Sequence, residues 1–148
     1  MKVFVAGATG AVGRPLVAGL LEAGHDVVGT TRRKDRAADL RAQGVEPVIV
    51  DALDADALAA AARRARPDVV VQQLTALPQA GTAGASDHAA TSRLRVEGTR
   101  ALLRGAPDAR MMSRRRCPSL ALRRRPRYSS GLEACLADGG QGRAVSGS

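Results

Sequence analysis

Residues Gly7-Ala8-Thr9-Gly10-Ala11-Val12-Gly13 set three glycines three apart, between two apolar segments of different period. Val3-Phe4-Val5-Ala6 ahead of them is a continuous apolar run. Leu16, Val17, Leu20 and Leu21 behind them recur at helical spacing. A buried strand, a glycine turn and an amphipathic helix satisfy all three patterns. Gly7 permits the tight turn that leaves the strand. Gly10 lets a ligand approach the backbone with no Cβ between them. Gly13 lets the helix pack close to the strand. Pro15 is compatible, because the first helical turn needs no N–H at that position. The free N–H groups and the positive dipole end then face outward, ready for an anion. This reads as the first βα unit of a dinucleotide-binding fold. Gly7, Ala8, Thr9, Gly10, Ala11, Val12 and Gly13 are the expected pyrophosphate contacts.

The chain continues in the same alternation. Gly24-His25-Asp26 stops the helix, and Val27 to Thr31 reads as a second strand. His25 reads as a loop residue. Lys34 to Gln43 suits a helix closed by Gly44, and Pro47 to Val50 a third strand. Asp54 is a candidate cap for a helix whose core side is Leu58, Ala59 and Ala62, with Pro67 just beyond it. A fourth strand starts at Val69-Val70-Val71 and runs to about Leu74. Pro78 to Ser86 reads as a loop. His88 to Arg104 reads as a helix with Leu94, Gly98, Leu102 and Leu103 on one side; Gly98 there suggests close packing on the sheet. Strands alternating with helices predict an α/β fold: a Rossmann-type doubly wound parallel sheet in the order 3-2-1-4.

Aromatic content is 1%, so the core is built from Val, Leu and Ala. No run is long and apolar enough to span a membrane. Cys117 and Cys135 match no metal or redox spacing. The expectation is a reduced, cytoplasmic protein without membrane partners. The net charge of +9 is uneven, with +2 in residues 1–100 and +7 in residues 101–148.

In a dinucleotide fold, a carboxylate at the tip of the second strand binds the ribose 2′-hydroxyl. This tip is Thr30-Thr31-Arg32-Arg33, with no carboxylate. A guanidinium suits a 2′-phosphate, which it can pair bidentately. Arg32 and Arg33 are therefore candidate cofactor residues, Arg32 lying nearer the tip. NADP is the preferred cofactor, and NAD stays open.

The spacing G-x-x-G-x-x-G after the first strand resembles that of the extended short-chain dehydrogenase/reductases, the NAD-dependent epimerase/dehydratase family. Ala6 stands where the family has Thr. The resemblance implies that Asp51 accepts a hydrogen bond from the adenine amino group, with Ala52 beside it. It implies that Leu74, Thr75 and Ala76 line the nicotinamide-side ribose. Arg95-Val96-Glu97-Gly98-Thr99 resembles the family's N-V-x-G-T helix, with Arg95 in place of Asn. Five motifs in order carry the resemblance to about Leu103. The family would next supply a fifth strand, a catalytic Ser or Thr and Tyr-x-x-x-Lys. Tyr128 is the one tyrosine, and no lysine follows Lys34. No catalytic residue is carried over, and no substrate is implied.

The expected function is thus an NAD(P)-binding fragment of an epimerase/dehydratase-like oxidoreductase whose catalytic half is absent. The division is 1–104 as the partial dinucleotide-binding domain and 105–148 as an Arg-rich, poorly ordered tail. A non-catalytic dinucleotide-sensing or scaffold protein is the alternative. Nucleic-acid binding is less favoured, because Arg114-Arg115-Arg116 and Arg123-Arg124-Arg125-Pro126-Arg127 have no interleaved aromatics for stacking on bases. A short helix over Leu132 to Leu136 is a weak signal. The resemblance halts inside a helix near Arg104, whereas domain boundaries favour linkers. The composition then turns to residues with GC-rich codons, which suggests out-of-frame translation or a degenerate remnant. Translating the other two frames beyond codon 104 is expected to yield a recognisable C-terminal half. An Arg-rich tail encoded alike in related genes would overturn that expectation.

Overall fold

The computed structural model describes residues 1–75 and 85–113. Five strands and four helices alternate: β1 (Lys2–Ala6), α1 (Gly13–Glu22), β2 (Asp26–Thr31), α2 (Lys34–Ala42), β3 (Glu46–Ile49), α3 (Ala55–Ala65), β4 (Val69–Gln72), α4 (Ala85–Gly105) and β5 (Arg110–Ser113). All pairings are parallel, in the order β3-β2-β1-β4-β5. β1 is central, with Val3 opposite both Val27 and Val69. Its continuous apolar run follows from that position, since a central parallel strand is covered on both faces.

Successive strand residues serve opposite faces. Val3, Val5, Val69 and Val71 pack with Leu16, Val17 and Leu20 of α1 and Leu40 of α2. Phe4, Ala6, Val28 and Val70 pack with Leu58 and Ala62 of α3 and Leu94 and Leu102 of α4. Asp54 caps α3 as its sequence position suggests, its carboxylate accepting from Ala57 N–H at 2.9 Å. Arg66 ends that helix in the left-handed region (φ 46°), just before Pro67.

Two differences from the sequence reading have clear causes. The helical pattern before Arg104 assigns Leu103 to the core side, but Leu103 is 46% exposed. Ala101 and Gly105 take the buried positions beside Leu102. Small residues there are what a tight crossing of α3 and α4 requires: a Cβ on Gly105 would overlap the Ala59 carbonyl. The helix also starts earlier than expected, at Ala85.

The larger difference is β5. The reading of order 3-2-1-4 leaves the outer edge of β4 unpaired. In the structure Val69–Gln72 pairs with Arg110–Ser113, and that edge is covered. The strand escapes a hydropathy reading because it is short and its first and last residues are polar. Met111 and Met112 pack one on each face of the sheet. Expectations for Ala76, most of the Pro78–Ser86 loop, the arginine runs, Cys117, Tyr128, the Leu132–Leu136 segment and Cys135 lie outside the described residues.

Gly105→Ala is expected to destabilise the chain by about 1–3 kcal/mol, the usual cost of overpacking. The helix propensity gained on replacing Gly is at most about 1 kcal/mol and does not offset it. The urea midpoint measures the difference.

Candidate functional site

The carboxyl ends of β1, β2, β3 and β4 open onto one edge of the sheet, and the glycine turn sits over β1 there. Gly7 has φ +91°, and a Cβ on it would lie 2.9 Å from the Gln73 carbonyl oxygen. Only glycine meets both conditions. Gly7 N–H donates to Thr30 Oγ1 at 2.9 Å. Gly10 N–H donates to Gly7 O at 3.2 Å, and Arg14 N–H to Gly10 O at 3.1 Å. These bonds tie the turn to β2 and then to α1. A Cβ on Gly13 would overlap the Gly7 carbonyl and lie 2.7 Å from that of Ala8, so the helix start rests directly on the turn. A Cβ on Gly10 would touch only Gly7 O, at 3.4 Å, and Gly10 is exposed. The three glycines thus divide as their spacing suggests: two for close packing, one for an open backbone.

The start of α1 suits an anion. Val12 caps it without a side-chain hydrogen bond, and its first turn has no acidic residue. The N–H groups of Ala11, Val12 and Gly13 meet no backbone carbonyl among the described residues. Three donors and the positive end of the helix dipole converge over the turn. A cleft of about 410 Å³ adjoins it between α1 and α2, with Thr9, Arg14 and Arg36 on its walls.

The tip of β2 brings the two candidate arginines into different surroundings. Arg33 Nε and Nη2 reach Asp35 Oδ1 and Oδ2 at 3.0 and 2.6 Å, a bidentate pair. The hydrogen bond and the charge of Asp35 raise the Arg33 pKa, and the hydrogen bond from Arg33 holds the Asp35 carboxyl below its usual range. Arg32 is exposed and its side chain makes no hydrogen bond or ion pair among the described residues.

Asp51 is exposed just past β3, and its Oδ1 accepts from Leu53 N–H at 3.0 Å. Its Oδ2 is not used in that turn. Ala52 is buried beside it. Leu74 is 7% exposed and packs in the core, where a Cβ on Gly98 would come within 2.7 Å of its Cδ1. Gly98 therefore packs at the end of β4. Thr75 is exposed at the crevice, and Ala76 lies outside the described residues.

Three residues at this edge escape a sequence reading. Thr30 anchors the turn, but a strand threonine gives no local sign of it. Asp35 belongs to the corner only because the start of α2 turns it back onto Arg33. Gln72 is buried at the end of β4, and its Nε2 has no hydrogen-bond partner among the described residues. Among the described residues no cluster of His, Cys, Asp or Glu could hold a metal ion, and no helix is long and apolar enough to cross a membrane.

The model of the NAD dependent epimerase/dehydratase family matches residues 3–115. The chain belongs to the NAD-dependent epimerase/dehydratase family. The family match passes Arg104 and includes β5, which corrects the reading that the resemblance halts inside α4. A 3-diazoavenalumate denitrifying reductase of Streptomyces is 46% identical over 109 residues, covering 74% of this chain and 34% of the relative. The chain thus spans about a third of that reductase's length. Among solved structures, the anaerobillin reductase ChuY of Escherichia coli O157:H7 is 29% identical with TM-score 0.56, over 76% of this chain and 50% of that one. The yeast methylglyoxal/isovaleraldehyde reductase, solved with NADPH, is 25% identical with TM-score 0.56, over 70% of this chain and 32% of that one. Family membership implies a dinucleotide cofactor, and the glycine turn with its uncapped helix has the donors and open backbone to fit one.

Thr30→Val keeps the side-chain shape but leaves Gly7 N–H without its acceptor. A loss of about 1–3 kcal/mol is expected for an unsatisfied donor. Thr30→Ser, which keeps the hydroxyl, is expected to show less than half of it in urea denaturation.

Proposed function

We propose that this chain is the NADP-binding part of an epimerase/dehydratase-family oxidoreductase. The observation that carries the cofactor choice is the tip of β2, where the exposed Arg32 has no carboxylate partner among the described residues and no acid stands in the position that would bind a 2′-hydroxyl. The N–H groups of the Gly7–Gly13 turn hold the pyrophosphate. Arg32 pairs with the 2′-phosphate and Arg33 flanks it. The Asp51 oxygen left over from its turn accepts from the adenine amino group, against Ala52. Leu74, Thr75 and Ala76 line the nicotinamide-side ribose. The solved complex of the yeast reductase with NADPH supports the choice of NADP over NAD.

Bound dinucleotide supplies hydride transfer in such enzymes. The described residues bind and orient it, and none is assigned a proton-transfer role. The pair Tyr-x-x-x-Lys does not occur in the sequence. A second reading, a non-catalytic dinucleotide-sensing or scaffold protein, uses the same cofactor site. In both readings the protein works in the cytoplasm, and in the first its substrate is a small molecule. The Arg-rich segment leaves nucleic-acid binding as the least supported reading.

Arg32→Ala is expected to weaken NADP binding by about 1.5–3 kcal/mol, the worth of a charge-assisted hydrogen bond. That is roughly 10- to 100-fold in Kd. NAD binding is expected to change by less than about twofold. Calorimetric titration with both cofactors measures it, and equal losses would remove the 2′-phosphate role.

A further inference from the structure

We propose that Asp35 is a specificity-determining residue, which restrains the preference for NADP by holding Arg33 away from the 2′-phosphate. The proposal rests on the reading that the tip of β2 receives the adenosine ribose. Two arginines stand at that tip, yet the structure gives them different freedom. Arg33 spends two parallel donors on Asp35, at 3.0 and 2.6 Å. That fork is the geometry with which a guanidinium would otherwise grip a phosphate. Arg32 has no such partner among the described residues.

Asp35 is well kept in place. It is the acidic residue in the first turn of α2, where a negative charge complements the helix dipole. The hydrogen bond from Arg33 holds its carboxyl below the usual carboxylate range. Arg36, one turn along, is likewise turned to a carboxylate, Asp39 at 3.3 Å. The start of α2 therefore neutralises its own arginines.

The pair is nonetheless open to competition. Its side chains are 63% and 58% exposed, and exposed pairs of this kind are weak. A 2′-phosphate can draw Arg33 off, but it then faces the released Asp35 carboxylate. A 2′-hydroxyl makes no such demand. The device thus narrows the gap between the two cofactors without closing the site to either.

The test uses the full chain and two probes of the adenosine half, adenosine 2′,5′-bisphosphate and adenosine 5′-monophosphate, titrated by calorimetry. Asp35→Asn is expected to tighten the bisphosphate by roughly three- to tenfold, the scale of an exposed ion pair released to a better partner. The monophosphate is expected to stay within about twofold. Asp35→Glu keeps the charge and is expected to bind as the native chain does. Arg33→Ala with Asp35→Asn is expected to lose the gain. Should Asp35→Asn lower the melting temperature, Asp35→Ser, equally suited to a first helical turn, replaces it. Equal tightening of both probes, no tightening, or a gain that survives Arg33→Ala overturns the proposal. If Arg32→Ala abolishes the bisphosphate preference while Asp35→Asn changes nothing, the cofactor reading stands and the role of Asp35 falls. If the native chain binds neither probe, both fall.

Discussion

The contact on which the site depends is the seat of the glycine turn. Gly7 N–H is held by the Thr30 hydroxyl of β2, and its Cα lies against the Gln73 carbonyl beyond β4. Three neighbouring strands are thereby locked at their carboxyl ends by one residue without a side chain. The consequence reaches α1. With the turn fixed, the helix start can rest on the Gly7 and Ala8 carbonyls, which aims its free N–H groups out of the sheet edge. A turn held less closely would leave those donors scattered.

Packing on the other face follows the same use of small residues. α3 and α4 approach through Ala59 and Gly105, and Gly98 admits the Leu74 side chain. A chain with 1% aromatic content has few large side chains to fill space between layers. Close backbone approach substitutes for bulk, and dispersion contacts are kept by bringing elements nearer. This explains why so alanine-rich a helix as α3 still buries Leu58, Ala59, Ala61, Ala62 and Ala65.

Charge is arranged locally at the cofactor edge. α1 begins without an acid, while α2 and α3 begin with Asp35 and with Asp54 and Asp56. The helix whose N-terminus meets the glycine turn is the one left electrostatically open. At the tip of β2 two adjacent arginines differ in availability because one of them has a carboxylate two residues on. Of the positive charges beyond residue 100, Arg104 takes part, pairing with Asp56 at the start of α3 at 2.7 Å.

Much of this was legible in the chain itself. The period change across Gly7–Gly13 specified strand, turn and helix, because a buried parallel strand and an amphipathic helix leave distinct local patterns. The alternation of elements specified the doubly wound sheet. Asp54 could be named as a cap because capping acts over three residues. What the tertiary structure decided are relations between residues distant in sequence or hidden by weak patterns. The strand at Arg110–Ser113 exists because β4 offers its edge; its polar ends alone do not announce it. Leu103 points outward because the crossing of α3 and α4 is set by Ala59 and Gly105, which rotates the buried face toward Ala101. Thr30 became a site residue through a bond to Gly7 across 23 positions. Local propensity and period act over a few residues and can be read in order, whereas strand edges, helix crossings and long-range hydrogen bonds arise only when the sheet assembles.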